Sequence, residues 1–140
     1  MRGGKEVAAY FNVPFPEWSP QLEVLYEDTK GCLEKLREKY RIGVIANQNP
    51  GTNKRLRTFG ILQYIDVVAA SSDEGFNKPD ERLFEVALQK ANCRPDQAIM
   101  IGDRIDNDIV PAKRLGMKTI WIRQGPGRYW SIRRKDEMPD

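Results

Sequence analysis

The chain has 140 residues, 40% apolar and 31% charged, with a formal net charge of +3, two cysteines and no histidine. That length suits one domain with a buried core, and the balance of apolar to charged residues excludes a disordered chain. The lack of histidine excludes Ser-His-Asp and Cys-His nucleophile systems and histidine-ligated zinc, and no apolar run approaches the roughly 20 residues of a bilayer span.

The N-terminus lacks the apolar core of a secretory signal. Residues 5–11 read as the end of a helix, and Pro14, Pro16 and Pro20 as an irregular connection after it. A helix follows over 29–40 through Cys32, Leu33, Leu36 and Tyr40, with Asp28 and Thr29 initiating it. Residues 42–46 form a strand that runs into Asn47 and Gln48. Gly51 and Thr52 precede a helix over 53–59, but no glycine-rich phosphate motif accompanies them, so a plain turn is expected. A strand over 65–70 comes next. Then Leu83, Phe84, Ala87, Leu88 and Ala91 recur at helical spacing over 80–92, with Asp80 at the positive end of the helix dipole. Residues 98–101 form a buried strand, 108–115 a helix and 118–122 a strand. Pro111 fits that last helix if Asp108 is its N-cap. Gly60 and Gly116 each stand just past a helix, where a left-handed cap is expected. Alternation of this kind builds a parallel sheet with crossover helices.

The basic excess falls late, at Arg123, Arg128, Arg133, Arg134 and Lys135, with Tyr129 and Trp130 interleaved. Such a pattern can stack on and neutralise single-stranded nucleic acid. Asp136, Glu137 and Asp140 follow at once and cancel the field, so a solvated tail is expected and a nucleic-acid partner is not. Cys32 and Cys93 form no metal or redox motif. Both sit on apolar helix faces or their ends, which predicts buried or idle thiols in a reducing cytoplasm.

The most informative stretch is residues 98–108, where an apolar strand ends on Gly102 and delivers Asp103 and then Asp108. In open α/β sheets ligands bind at the C-terminal edge of the strands. Carboxylates gathered there suit a hard cation such as magnesium, which takes oxygen ligands and keeps several waters. Lys78, in Asn77-Lys78-Pro79-Asp80, stands after the preceding strand and faces the same rim. With no histidine, the remaining groups fit metal-assisted phosphoryl transfer, where positioning and charge stabilisation dominate.

With Lys78 and the Asp103–Asp108 pair in that order, residues 22–125 resemble the haloacid dehalogenase superfamily, chiefly its phosphatases. Residues 71–80 look like the segment of its third motif, whose lysine corresponds to Lys78, and residues 102–108 look like its fourth. The resemblance implies a Rossmann-like three-layer α/β sandwich with a mostly parallel sheet. It also implies magnesium-dependent hydrolysis of a small phosphate ester through an aspartyl-phosphate. Asp103 and Asp108 would serve the metal, Lys78 and Asp108 the catalysis, and Asn47 and Lys78 the phosphoryl group.

Two departures qualify this reading. The family's nucleophile belongs to an Asp-x-Asp pair at the end of a first strand, and Tyr26 stands where its first aspartate would have to be. Ala46 occupies the usual place of a phosphate-binding serine or threonine. The expectation is a chain that begins after the first motif: 1–20 a remnant of a cap and its connection, 21–125 the core with its first strand missing, 126–140 the basic-aromatic tail. Such a chain alone would be inactive. The alternative is a non-catalytic binding or assembly module, and a phosphoacceptor receiver domain ranks last because it too needs an early acid pair. In the resembling fold the first strand lies between the strands ending at Ala46 and Ile101. Without it those two either pair directly or leave open edges, which predicts a rearranged sheet or self-association as a homodimer or by segment exchange. The other expected partner is a small phosphorylated molecule, and no membrane.

Overall fold

The computed structural model describes residues 4–14 and 22–140. Helix α1 spans Gly4–Tyr10. Pro16 and Pro20, read as part of a connection, lie outside the described residues, as does the start of the expected cap remnant. The rest follows the expected alternation: α2 (Thr29–Arg37), β1 (Gly43–Ala46), α3 (Thr52–Thr58), β2 (Val67–Ala70), α4 (Ser71–Glu74), α5 (Glu81–Ala91), β3 (Ile99–Gly102), α6 (Val110–Arg114) and β4 (Lys118–Trp121). The one-turn helix α4 was not expected. Among the described residues, no helix is long and apolar enough to cross a membrane.

Among the described residues the four strands form two parallel pairs rather than one sheet. Gly43 stands opposite Val67 in the first pair, and Ile99 opposite Lys118 in the second. Direct pairing of β1 with β3, one of the two outcomes expected, does not occur. Each keeps one edge without a described strand partner. Ile99, Ile101 and Ile120 of the second pair, and Ile122 just past it, are about half exposed, so β3 is not the fully buried strand expected, although the alternation with Met100 and Thr119, both buried, is that of a strand.

Helix α5 joins the two pairs. Asp80 caps it by accepting from the Arg82 amide at 3.0 Å, and Asn92 ends it in the left-handed conformation. Pro79 lies just outside, one residue before the cap. Leu83 and Ala87 pack against Ala69, whereas Phe84 and Leu88 pack against Met100, Ala112 and Met117. Adjacent rows of one helix thus serve opposite halves of the core. A third cluster gathers Ile105, Ile109 and Val110, with Trp121 and Trp130 against it. Gly60 and Gly116 take positive φ, as expected of helix ends.

Helix α2 departs from its sequence reading. None of its residues is buried, Tyr40 beyond it is exposed, and so is Cys32, against the expected burial on an apolar face. The helix meets the 3-10 turn Leu62–Tyr64, where the Tyr64 hydroxyl donates to Glu34 at 2.5 Å, and Leu33 is half-buried. Asp28 precedes the helix but makes no capping hydrogen bond.

The C-terminal segment is not the solvated tail that its composition suggested. It makes short 3-10 turns at Gly125–Tyr129 and Lys135–Glu137 and returns to the core. Asp140 accepts from both the amide (3.0 Å) and the hydroxyl (2.9 Å) of Thr119, which holds its carboxyl below the usual range. Glu137 is buried and accepts from the Arg133 amide at 2.8 Å. The acids that cancel the basic field therefore do so as anchors.

Candidate active site

The loops after β1 and β2 are tied together by two neutral side chains. The Asn47 amide donates to the Lys78 carbonyl at 2.9 Å and accepts from the Lys78 amide at 2.6 Å. The Ser71 hydroxyl accepts from the Gln48 amide at 3.0 Å and donates to the Gln48 carbonyl at 3.3 Å. Beyond Gln48 the chain turns around Arg55. This guanidinium donates to the Gln48 side chain, the Thr52 hydroxyl and the carbonyls of Asn49 and Pro50, and approaches Glu23 at 3.7 Å. The Gly51–Thr52 turn is thus filled by the chain's own cation, in keeping with the plain turn expected there.

Lys78 reaches from this loop pair to the other half. Its ammonium meets Asp108 Oδ1 at 2.6 Å, and both side chains are largely buried, 13% and 5% exposed. Asp108 Oδ2 accepts from the Arg104 amide at 3.0 Å. Asp108 is not the N-cap that the sequence suggested. The chain enters the helix through a wide π turn, Ile105–Ile109, and the Asp108 amide donates to the Arg104 carbonyl at 2.8 Å. Its carboxylate folds back to the residue before the turn, as the acid of a capping box does. Pro111 still falls in the first turn of α6, where its missing amide costs nothing. Gly102 makes this possible: a Cβ there would overlap the Asp108 side chain, with Cγ only 2.6 Å away.

Asp103 follows β3 directly and is partly exposed. Its carbonyl accepts from Trp121 Nε1 at 3.0 Å. Among the described residues no buried side-chain polar atom lacks a partner. The structure therefore brings Asn47, Lys78 and Asp108 into one hydrogen-bonded chain, with Asp103 between the end of β3 and the turn that carries Asp108. Trp121 was missed in the sequence; an aromatic donor closing the last strand was its only signal.

The donors here are carboxylate oxygens, which suit a hard cation such as magnesium. Among the described residues, however, no group of three or more acid, histidine or cysteine side chains could hold a metal ion. Each Asp108 oxygen accepts one hydrogen bond, from the Lys78 ammonium and from the Arg104 amide, whereas the Asp103 carboxylate is partly exposed beside them.

A family profile described as haloacid dehalogenase-like hydrolase matches residues 16–122. A glyceraldehyde 3-phosphate phosphatase of Pyrococcus furiosus is 34% identical over 120 residues, 85% of this chain and 48% of that protein. A ribulose-1,5-bisphosphate 5-phosphatase of Halopiger xanaduensis is 32% identical over 108 residues, 74% of this chain and 45% of that one. Among solved structures, a HAD phosphatase from Thermococcus onnurineus superposes with a TM-score of 0.69 at 28% identity, covering 85% of this chain and 58% of its own. The chain spans about half the length of the relatives it matches. It belongs to the haloacid dehalogenase-like hydrolases and has their parallel α/β fold.

Proposed function

We propose that this chain is the Lys78- and Asp103-bearing part of a magnesium-dependent phosphohydrolase, and that the nucleophilic aspartate comes from a segment it does not contain. The observation that carries this is the buried Lys78–Asp108 pair, which fixes an ammonium beside the turn that presents Asp103. A preorganised cation in a largely desolvated setting stabilises charge on a transferring phosphoryl group. Asp108 would position Lys78, and Asn47 would set the height of its backbone. When bound at Asp103, magnesium would supply further charge neutralisation. The relatives' names favour a small sugar phosphate as substrate, and the cytoplasm is the setting we assign to it.

The test is hydrolysis of p-nitrophenyl phosphate with magnesium. The chain alone should show no turnover, because covalent catalysis needs the nucleophile. Fusing an Asp-x-Asp strand from a full-length relative ahead of residue 22 should create activity that Asp103→Asn abolishes. Magnesium-dependent hydrolysis by the unfused chain, lost in Asp103→Asn, would show that the nucleophile lies within these 140 residues.

A second reading, a non-catalytic binding or assembly module, is favoured by Ala46, which removes the hydroxyl at the end of β1. It predicts that the fusion folds and stays inactive. In either case the half-exposed isoleucines of β3 and β4, beside strand edges that have no partner among the described residues, support self-association of the chain alone. Light scattering should report a dimer or larger species that becomes monomeric in the fusion. A monomer at every concentration would refute the self-association.

A further inference from the structure

Strand β4 has β3 on one side and, among the described residues, no strand on the other. The Lys118 amide donates to the Ala98 carbonyl at 3.0 Å, and the Ile122 amide to the Gly102 carbonyl at 2.9 Å. Alternation turns the Thr119 peptide groups the opposite way, onto the outer edge. The residues there invite a further strand. Thr119-Ile120-Trp121-Ile122 is β-branched or aromatic throughout, without charge or proline, and Ile120 and Ile122 are about half exposed. Asp140 occupies that edge instead. Its Oδ2 accepts from the Thr119 amide at 3.0 Å, and its own amide donates to the Thr119 carbonyl at 3.2 Å. Thr119 is 1% exposed. The Lys113 ammonium donates to the Met138 carbonyl at 2.6 Å and stands 3.8 Å from Asp140 Oδ1; the Lys118 ammonium stands 3.9 Å from the same oxygen.

We infer that Asp140 guards the outer edge of β4, closing it to a strand of a second copy of this chain. Strand addition runs on main-chain hydrogen bonds, and both outward groups of Thr119 are already engaged within the chain. A second strand on this edge would also bury the Asp140 carboxylate, at a cost in desolvation. Charges placed on an edge blunt it in this way. The self-association proposed above is then directed to the edge of β3 that has no described strand partner. That last step rests on the self-association; the guard itself does not.

The test uses the full chain, with amide hydrogen exchange followed by NMR and mass by light scattering. Asp140→Ala should speed exchange of the Thr119 amide about tenfold, the contribution of roughly one hydrogen bond. Exchange at Ile122, on the β3 side, should not change, and the mean mass should rise above that of the wild type at equal concentration. Asp140→Asn keeps an oxygen acceptor and should stay near the wild type in both readings. Should Asp140→Ala unfold the chain, with fast exchange at Ile122 as well, Lys113→Met serves instead. It releases the Met138 carbonyl and should move both readings in the same direction. Unchanged exchange at Thr119 would show that Asp140 does not close the edge. Faster exchange without added mass would leave Asp140 an anchor of the C-terminal segment; either result overturns the guard. A monomeric wild type would overturn the self-association alone, because a gain of mass in Asp140→Ala still reports the guard.

Discussion

The loops leaving β1 and β2 are joined by neutral amide and hydroxyl groups, each of which bonds a peptide N–H and a C=O on the neighbouring loop. The loops leaving β3 and β4 are organised instead around carboxylates, with Asp108 buried and Asp103 gripped at its carbonyl. Exposed or part-buried neutral clamps cost little to form and little to lose. A buried charge is different: its desolvation is offset only while its partner is present. The same rim therefore has one tolerant half and one brittle half, and Lys78 belongs to both, through its backbone in the first and its ammonium in the second.

The sharpest way to break this contrast is Lys78→Met. It leaves Asp108 buried with a single hydrogen-bond donor, and stability in urea unfolding should fall by about 3–5 kcal/mol, the usual cost of stranding one charge of a buried pair. Adding Asp108→Asn to that variant should restore most of the loss, because the neutral amide still accepts from the Arg104 N–H. If the double variant is no more stable than the single one, burial of charge is not what makes this half brittle.

On the tolerant side, Asn47→Ala removes two hydrogen bonds at an exposed position. The expected loss is about 1–3 kcal/mol, at roughly 0.5–1.5 kcal/mol for each bond, and nearer the lower end because the site is exposed. A loss as large as that of Lys78→Met would erase the distinction between the halves.

The smallest effect concerns Asp80, whose carboxyl is held down at about 2 by the Arg82 guanidinium, with help from the Arg82 amide. A depressed carboxyl contributes stability above its ordinary value of 3.8 and loses it as pH falls through about 2. In Arg82→Gln the titration should move upward toward the ordinary value while the rest of the rim is unchanged. A carboxyl-detected NMR titration reads this directly; no movement would mean that the guanidinium is not the cause.

How far these features were legible follows from their range. The alternation of strands and helices was visible because each element carries its own periodicity and punctuation, as at Asp80, Gly60 and Gly116. Lys78 and the two aspartates could be placed on one rim through order and resemblance. That the ammonium seeks Asp108, thirty residues later, is a tertiary fact that no local pattern states. Asp108 looked like a cap because acids favour helix starts. The wide turn that carries it inward instead depends on Gly102 being bare beneath it. The tail was misread for a related reason. Charge counts describe a field in solution, whereas Asp140 and Glu137 act through particular amides more than their local composition reveals.

The division of α5 between two clusters has a consequence for how the molecule assembles in time. Gly43 finds Val67, and Ile99 finds Lys118, across crossovers of about twenty residues, so neither pairing requires a long conformational search. Most apolar contacts between the halves run through or beside the one helix that lies between them in sequence. During synthesis the β1–β2 unit can close as soon as β2 appears. Its half of α5 docks next, and the opposite row, Phe84 and Leu88, is left as a ready template on which the β3–β4 unit condenses.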